Sequence, residues 1–225
     1  MSPSHREERR LRRQFFGMLI RPGDLCFDIG ANVGQSIEAF LACGASVVAL
    51  EPNPHCLHTL RYQFGRKERV TLIDKAVGAS PGSAQLHFSG TAATASLRGD
   101  WNVHDDQIVA VDVTTLADLM ASHGTPQLLK VDVEGYEVEV FAGLDQFVPI
   151  IYFEMHARDV PAVAKILARL AELGSVESVN AVSEDHGSWL FDRWLSSDEF
   201  LAALSPPPLV ANVVVRMSRD RATTH

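Results

Sequence analysis

The sequence has few cysteines and no long apolar run, and both shortages exclude classes of protein. Its 225 residues hold only Cys26, Cys43 and Cys56, which cannot all pair with one another and lack both a CxxC motif and zinc-ligand spacing. This pattern argues against a disulfide framework and indicates a reducing compartment. No apolar run approaches the roughly 20 residues that a membrane-spanning helix needs.

Positive charge is also scarce. The chain has 20 Lys and Arg residues against 28 Asp and Glu residues, so its formal net charge is −8. Binding to a nucleic-acid backbone needs clustered cations, which this balance disfavours. The N-terminal segment is charged where a secretory signal peptide needs an apolar core. We therefore expect a soluble, cytoplasmic protein with neither a nucleic-acid nor a membrane partner.

The residues that are present suit one folded domain. Hydrophobic residues make up 46% of the chain and charged residues 21%, which is enough apolar content to bury a core. We predict an N-terminal cap helix over residues 1–22, a single α/β domain over 23–217 and a flexible tail over 218–225. The arginines of the first helix form either a solvated basic face or a surface for an acidic partner.

Strands and helices alternate along this domain. The predicted core strands are apolar runs at 24–30, 45–52, 69–78, 126–135 and 147–156. The predicted helices have helical spacing and end at or near a glycine, at 35–44, 53–65, 114–124, 136–144 and 159–174. Such alternation is typical of a parallel sheet with helices on both faces. We predict the strand order 3-2-1-4-5, followed by two late strands at the sheet edge, one of them antiparallel.

The first core strand runs into a turn of small residues, Gly30, Asn32 and Gly34, that favours one class of ligand. Glycines let a backbone approach a ligand closely, but the dinucleotide motif G-x-G-x-x-G needs a third glycine that is missing here. The carboxylate of Asp28, two residues before the turn, would repel a pyrophosphate and attract an ammonium group. S-adenosylmethionine has an ammonium group, a sulfonium and no phosphate, so these residues favour it over NAD.

The next two strand ends carry further acids. Glu51 lies 21 residues beyond Gly30, where a carboxylate can accept hydrogen bonds from both ribose hydroxyls of a nucleoside. A ribose is common to NAD and S-adenosylmethionine, so Glu51 does not separate them. Asp74 at the end of the third strand either accepts from an adenine amino group or caps a turn.

Six segments occur in an order and spacing that resemble the FkbM-type methyltransferases, from about residue 25 to residue 154. They read FDIGANVGQS, LEPNP, DKAVG, TASL, VDVTTLADL and LLKVDVEGYEVEVFAGL. The resemblance implies a class I methyltransferase with a Rossmann-like three-layer sandwich, a mostly parallel sheet and an antiparallel edge strand. It also implies that residues 23–217 form an S-adenosylmethionine-dependent methyltransferase domain. Family members typically methylate hydroxyl oxygens of sugars or natural products. Asp74 departs from the family pattern, where asparagine is expected more often.

The predicted cofactor-binding residues follow from the turn, the strand ends and these segments. They are Asp28, Gly30, Asn32, Gly34, Gln35, Ser36, Glu51, Pro52, Asp74, Lys75, Ala76, Ser96 and Asp132.

The predicted catalytic residues lie at the ends of the fourth and fifth strands, Asp132 and Glu134 on one and Glu154 and His156 on the other. Transfer of a methyl group to a hydroxyl requires alignment of the acceptor and removal of its proton. His156 is the candidate base because an imidazole titrates near neutral pH, and Asp132 or Glu134 would orient it or act instead. The alternative is a surface histidine or a hydrogen-bonded one with a structural role. Lys130, on the fourth strand, is expected to pair with one of the acids.

A divalent metal held by Asp132, Glu154 and His156 is an alternative, since oxygen ligands bind Mg²⁺ in some O-methyltransferases. We expect no metal, because carboxylates at strand ends are common in this fold. The segment 90–106 is either an exposed loop or a lid, with Ser96 near the cofactor and Trp101 or His104 near the acceptor.

The sequence thus predicts an O-methyltransferase acting on a small hydroxylated molecule, and it leaves a homo-oligomer open. Two rivals remain: an NAD-dependent oxidoreductase on the same fold, and a cofactor-binding subunit without catalytic activity.

Overall fold

The computed structural model describes residues 4–88, 95–100, 107–157, 160–183, 188–205 and 207–219. Its strands are β1 (Leu25–Ile29), β2 (Ser46–Leu50), β3 (Val70–Ile73), β4 (Ala76–Val77), β5 (Gly82–Phe88), β6 (Ala95–Ser96), β7 (Gln107–Thr114), β8 (Leu128–Val131), β9 (Ile150–His156), β10 (Ser175–Val182) and β11 (Val210–Ser218). Its helices are α1 (His5–Phe16), α2 (Gln35–Ala42), α3 (Pro54–Phe64), α4 (Leu116–His123), α5 (Glu137–Ala142), α6 (Val160–Leu173) and α7 (Ser197–Ala203).

The central sheet has seven strands in the order β3-β2-β1-β8-β9-β11-β10. The first five of these pair in parallel, whereas β11 pairs antiparallel with both β9 and β10. The predicted order of the five core strands and the antiparallel edge are therefore confirmed. The carboxyl ends of the parallel strands lie on the same side of the sheet, where open α/β sheets bind their ligands.

Two apolar clusters cover opposite faces of this sheet. Along β2, Val48 and Leu50 belong to the cluster that includes α4, α5, α6 and α7, whereas Val47 and Ala49 belong to the cluster that includes α1, α2 and α3. Successive side chains of a strand point to opposite faces, so the alternation along β2 divides the core into two layers. The three-layer α/β sandwich predicted from the sequence is confirmed.

A second, four-stranded sheet with the order β4-β7-β5-β6 corrects one predicted element. The run 69–78 reads as one strand in the sequence, but it breaks at Asp74 and Lys75, and its second half pairs with β7 instead of β2. Leu86, Phe88 and Val111 give this sheet a small apolar cluster of its own. Two strand-like runs of the sequence, at 83–90 and 107–113, interrupt the helix–strand alternation. The observed strands β5 and β7 overlap these runs and supply the antiparallel pair of this sheet.

The N-terminal helix is part of the core. Ser4 caps α1 by accepting a hydrogen bond from the backbone N–H of Glu7. Phe15 and Phe16 are buried, and their ring centroids lie 6.0 and 5.5 Å from that of Tyr152 in β9. The predicted cap helix therefore ends at Phe16 and packs directly on the central sheet.

Trp189 and Trp194, in the segment between β10 and α7, pack at the edge of the central sheet. The ring centroid of Trp189 lies 5.4 Å from that of Phe15 and 5.0 Å from that of Trp194. The guanidinium of Arg216 lies 3.8 Å from the centroid of Trp194. Both tryptophans therefore pack against other side chains of the protein at this edge.

The last strand ends close to the predicted domain boundary at residue 217. β11 continues to Ser218, and of the predicted tail, residues 220–225 lie outside the described ranges. Among the helices described above, none has the length and apolar character needed to cross a membrane.

Candidate active site

An open pocket lies at the carboxyl ends of β1, β2, β8 and β9 and is lined by residues of both sheets. It encloses about 760 Å³ of empty space, part of which is open to solvent. Of the predicted site residues, nine line it: Gly30, Asn32, Glu51, Pro52, Lys75, Ala76, Asp132, Glu134 and Glu154. Its apolar wall is formed by Ile29, Leu50, Val77, Leu86, Ala95, Leu97 and Val133.

The two glycines of the first turn have different structural roles. Gly30 has a φ of +81°, and a Cβ atom at this position would lie 1.8 Å from the carbonyl oxygen of Asp132. Only glycine lets the turn after β1 and the turn after β8 approach so closely. Gly34, with a φ of +91°, faces the rings and methyls of Phe64 and Leu60 in α3 instead of the pocket.

Asp28 lies beneath the pocket and not in its wall. Its side chain is fully buried, and its Oδ1 atom lies 3.4 Å from Nζ of Lys130, which also donates to Asp132 at 3.0 Å. Asp28 therefore faces a cation of the protein, whereas the sequence analysis predicted the ammonium group of a ligand at this position. This ion pair, which the sequence suggested for Lys130, holds β1 and β8 together below the turn, so direct contact of Asp28 with a ligand is not what the geometry favours.

Glu51 combines deep burial with direct access to the pocket. One carboxylate oxygen accepts from the backbone N–H of Asn32 at 2.7 Å and the other from that of Asn53 at 2.9 Å. Burial raises the pKa of Glu51 to about 7, although these two backbone hydrogen bonds act to lower it. Each oxygen keeps a lone pair beyond these bonds, so Glu51 can still accept from a ligand hydroxyl.

Four other predicted cofactor residues lie away from the pocket. Asp74 is exposed and its carboxylate accepts a hydrogen bond from Arg61 at 2.9 Å, which is a surface role. Gln35 lines clefts beside α1, and Ser36 is buried within α2. Gly34 packs on α3 as described above. A role in binding the cofactor stays a prediction for each, without support from the pocket lining.

Ser96 lies just behind the wall of the pocket, whereas its neighbours line it. Its hydroxyl donates to the carbonyl oxygen of Glu134 at 2.7 Å and accepts from the backbone N–H of Arg98 at 3.0 Å. Ser96 thereby ties the second sheet to the turn after β8. Most of the predicted lid 90–106, with Trp101 and His104, lies outside the described residues.

At the far end of the pocket, the structure brings together Glu134, Glu154 and His156. Each offers one ligand atom, and these atoms all lie within 4.8 Å of one another. Nε2 of His156 and a carboxylate oxygen of Glu154 are 2.8 Å apart. The hydrogen bond to Glu154 raises the pKa of His156 above its ordinary value, with smaller contributions from the charges of Glu154 and Glu134, while burial lowers it.

This cluster differs from the predicted metal alternative. The sequence grouped Asp132 with Glu154 and His156, but the structure places Glu134 beside them and engages Asp132 with Lys130. Glu134 has a φ of +54°, a backbone conformation that residues other than glycine adopt uncommonly. Two carboxylates and an imidazole could hold a divalent cation or act on a proton directly.

Sequence reasoning missed the buried carboxyl of Glu137 and the apolar wall. Glu137 lies inside the segment KVDVEGYE, but nothing in the sequence shows that an acid on a helix is buried. Leu86 lies in β5 of the second sheet and Leu97 directly follows β6, and the sequence did not predict that these segments form a sheet beside the pocket. Two signals were available in the sequence. Leu97 lies next to Ser96, a predicted cofactor-binding residue, and Leu86 lies in a run of alternating apolar and polar residues.

We expect the ligand-free protein to lose thermal stability as the pH rises from about 4.5 to about 7. Burial raises the pKa of both Glu51 and Glu137 to about 7 from an ordinary value of 4.5. A carboxyl with a higher pKa in the folded state contributes stability at low pH, and that contribution is lost as the pH rises through the folded-state value. Melting temperatures measured across this range check the expectation. Glu51→Gln should flatten the decline relative to Glu68→Gln at an exposed site, and identical slopes would contradict it.

Comparison with known proteins gives one family and several distant relatives. The family model described as the methyltransferase FkbM domain matches residues 28–177, which is 150 of the 225 residues. Over 151 residues the chain is 30% identical to the hexuronic acid methyltransferase AglP of Haloferax volcanii, covering 64% of this chain and 62% of that protein. Over 205 residues it is 28% identical to the 31-O-demethyl-FK506 methyltransferase FkbM of Streptomyces tacrolimicus, covering 76% and 75%. The match to AglP thus spans less than two thirds of that relative.

Among solved structures, a chain of the fibrillarin/Nop5p complex has a TM-score of 0.51 with this protein at 10% sequence identity. The superposition covers 97% of this chain and 87% of that one. At this identity the similarity concerns the fold alone, and it agrees with the three-layer sandwich described above.

Proposed function

Because the chain belongs to the FkbM methyltransferase family, we propose that it transfers a methyl group from S-adenosylmethionine to a hydroxyl oxygen of a small molecule. The observation that carries this proposal is the juxtaposition of two sites in one pocket. Glu51, directly after β2, offers a carboxylate that could accept from ribose hydroxyls, and Glu134 and Glu154 line the same pocket with His156 bonded to Glu154.

The pocket fits an adenosine-type ligand. The carboxylate of Glu51 can accept from ribose hydroxyls, and the apolar wall that includes Leu86, Leu97 and Val77 suits the faces of an adenine ring. Gly30 lines the pocket and lets the turn after β1 lie directly against the turn after β8, which closes the base of the pocket. No helix N-terminus carrying a glycine-rich pyrophosphate cradle opens into this pocket within the described residues, so a dinucleotide fits less well.

The chain's own residues would supply alignment and proton removal. Bound S-adenosylmethionine supplies an electrophilic methyl on a sulfonium. With a proton on Nε2, His156 donates a hydrogen bond to the carboxylate of Glu154, which leaves Nδ1 as the nitrogen able to take a proton from the acceptor hydroxyl. Glu134, on the other side of the cluster, can accept from a second hydroxyl of the acceptor and fix its orientation. We propose that this cluster works without a bound metal.

The names of the relatives suggest the acceptor class. One is a hexuronic acid methyltransferase and the other a 31-O-demethyl-FK506 methyltransferase, so one acts on a sugar acid and one on a natural product. We propose a sugar or natural-product hydroxyl as the acceptor here. A mass-spectrometric screen of hydroxylated glycosides and natural-product scaffolds, with purified protein and cofactor, would identify it.

Calorimetry tests the choice of cofactor. We expect S-adenosylmethionine and S-adenosylhomocysteine to bind with micromolar-range affinity, because Glu51 and the apolar wall suit an adenosine. We expect NAD to show no binding, because the first turn lacks the third glycine of a pyrophosphate site. NAD binding without any response to S-adenosylhomocysteine would replace the methyltransferase proposal by an oxidoreductase. Binding of S-adenosylhomocysteine without methyl transfer to any acceptor in the screen would favour the subunit without catalytic activity.

A further inference from the structure

The turn between β8 and α5 is held from below by a buried acid. One carboxylate oxygen of Glu137 accepts from the backbone N–H of Val133 at 3.1 Å and from that of Gly135 at 3.2 Å. Glu137 is 6% exposed, so these bonds are sheltered from water. A buried backbone N–H without an acceptor is unfavourable, and Glu137 satisfies two of them with one atom.

The residue between those two N–H groups has an unusual backbone conformation. Glu134 has a φ of +54° and Gly135 a φ of +90°. A side-chain-bearing residue with positive φ is strained and persists only where its surroundings fix it. The turn is also fixed from above, since Ser96 donates to the carbonyl oxygen of Glu134 at 2.7 Å and Arg98 donates to that of Gly135 at 3.3 Å.

The positive φ decides where the carboxylate of Glu134 lies. In this conformation it comes within 4.8 Å of the ligand atoms of Glu154 and His156. A change to a negative φ would alter the direction of the Cα–Cβ bond of Glu134 relative to β9. The arrangement of Glu134, Glu154 and His156 therefore depends on the conformation of the turn after β8. That conformation depends in turn on the carboxylate of Glu137, which accepts its backbone N–H groups.

We propose that Glu137 is a positioning residue that holds Glu134 in the left-handed conformation and so assembles the acceptor side of the active site. Glu137 lies behind the turn and does not line the cofactor pocket. It acts through Glu134 and leaves the cofactor side, with Glu51 and Gly30, unchanged. The kinetic part of this proposal rests on the proposed methyltransferase function.

Three variants test the proposal. Glu137→Ala removes both hydrogen bonds to the turn. Glu137→Gln keeps an amide oxygen that can accept from the same two N–H groups. Glu139→Ala is the matched control, since Glu139 is a partly exposed acid in the same first turn of α5.

For Glu137→Ala we expect kcat to fall by about 10- to 100-fold, because small misplacement of reacting groups has effects of that size. The affinity for S-adenosylhomocysteine should stay within about twofold, since the contacts of the cofactor side are retained. Glu137→Gln should restore most of the lost activity, and Glu139→Ala should resemble the wild type. Equal kcat in Glu137→Ala and the wild type would overturn the proposal, as would equal losses in Glu137→Ala and Glu137→Gln.

A second measurement needs neither cofactor nor acceptor. Glu134 and Glu137 both raise the pKa of His156 by their charge. Titration of the His156 ring by NMR, with its signals assigned from His156→Gln, should therefore give a lower pKa in Glu137→Gln, which has lost one charge. It should give a still lower pKa in Glu137→Ala, where Glu134 also moves away. The same pKa in both variants would contradict the proposal, even if the protein binds no S-adenosylmethionine and the proposed function fails.

Ser96→Ala keeps the test decisive if Glu137→Ala does not fold. This variant removes the bond from the Ser96 hydroxyl to the carbonyl oxygen of Glu134 and leaves the buried carboxyl of Glu137 in place. It should lower kcat and the pKa of His156 in the same direction as Glu137→Ala. A folded Ser96→Ala protein with an unchanged His156 pKa and unchanged kcat would mean that the turn does not position Glu134.

Discussion

Replacing His156 by alanine is expected to lower the rate of methyl transfer by about 10²- to 10⁴-fold, the usual contribution of a positioned general base. The affinity for the cofactor should change little, because His156 does not line the cofactor pocket. His123→Ala is the matched control, since His123 is exposed at the end of α4. Full activity in His156→Ala would return this residue to a structural role and leave Asp132 or Glu134 as the base.

The pH dependence of the reaction gives a second check on His156. A base must be neutral, and the hydrogen bond to Glu154 raises the pKa of His156 above its ordinary value. The acidic limb of kcat/KM should therefore lie above about pH 6.5 and activity should rise with pH through it. Glu154→Gln removes the anion that favours the imidazolium, so the acidic limb should move to lower pH. An acidic limb that does not move in Glu154→Gln would show that it does not arise from the titration of His156 beside Glu154.

The same residues decide whether a metal takes part. We expect the metal-free protein to keep its methyl-transfer rate in EDTA, because His156 paired with Glu154 can accept a proton unaided. Loss of activity in EDTA, with recovery on addition of Mg²⁺ or Mn²⁺, would instead make Glu134, Glu154 and His156 metal ligands.

Replacing Glu51 by alanine is expected to weaken the binding of S-adenosylhomocysteine by about 10- to 150-fold. A hydrogen bond to a charged group contributes roughly 1.5–3 kcal/mol, and each 1.4 kcal/mol corresponds to a factor of about ten. The variant also removes the acceptor of the Asn32 and Asn53 N–H groups. The resulting loss of order in the first turn should lower the affinity further. Calorimetric titration measures the change.

Two controls make the Glu51 result specific. Glu68→Ala removes an exposed acid before β3 and should bind S-adenosylhomocysteine like the wild type. Glu51→Gln retains an acceptor for one backbone N–H but loses the charge, so its affinity should lie between those of the wild type and Glu51→Ala. Unchanged affinity in a folded Glu51→Ala protein would remove Glu51 from the cofactor site.

The sequence by itself determined the order of the central sheet and the place of the pocket. Apolar runs that end in acids or glycine predicted the parallel strands, and parallel strands place their carboxyl ends together. Glu51, Glu134 and Glu154 follow directly from this rule, because each lies at or just beyond a strand end. Asn53 and Pro54 marked the start of α3 by local chemistry alone.

Only the tertiary structure decided which of these acids face a ligand and which face the protein. Asp28 and Glu51 look equivalent in the sequence, yet Asp28 is paired with Lys130 beneath the turn whereas Glu51 lines the pocket. Glu134, whose φ is positive, lies beside His156 where the predicted metal cluster had Asp132, and its turn is held by Ser96 from another sheet as well as by the nearby Glu137. Burial, ion pairing and backbone conformation depend on contacts between residues far apart in the chain, and a local sequence pattern does not contain them.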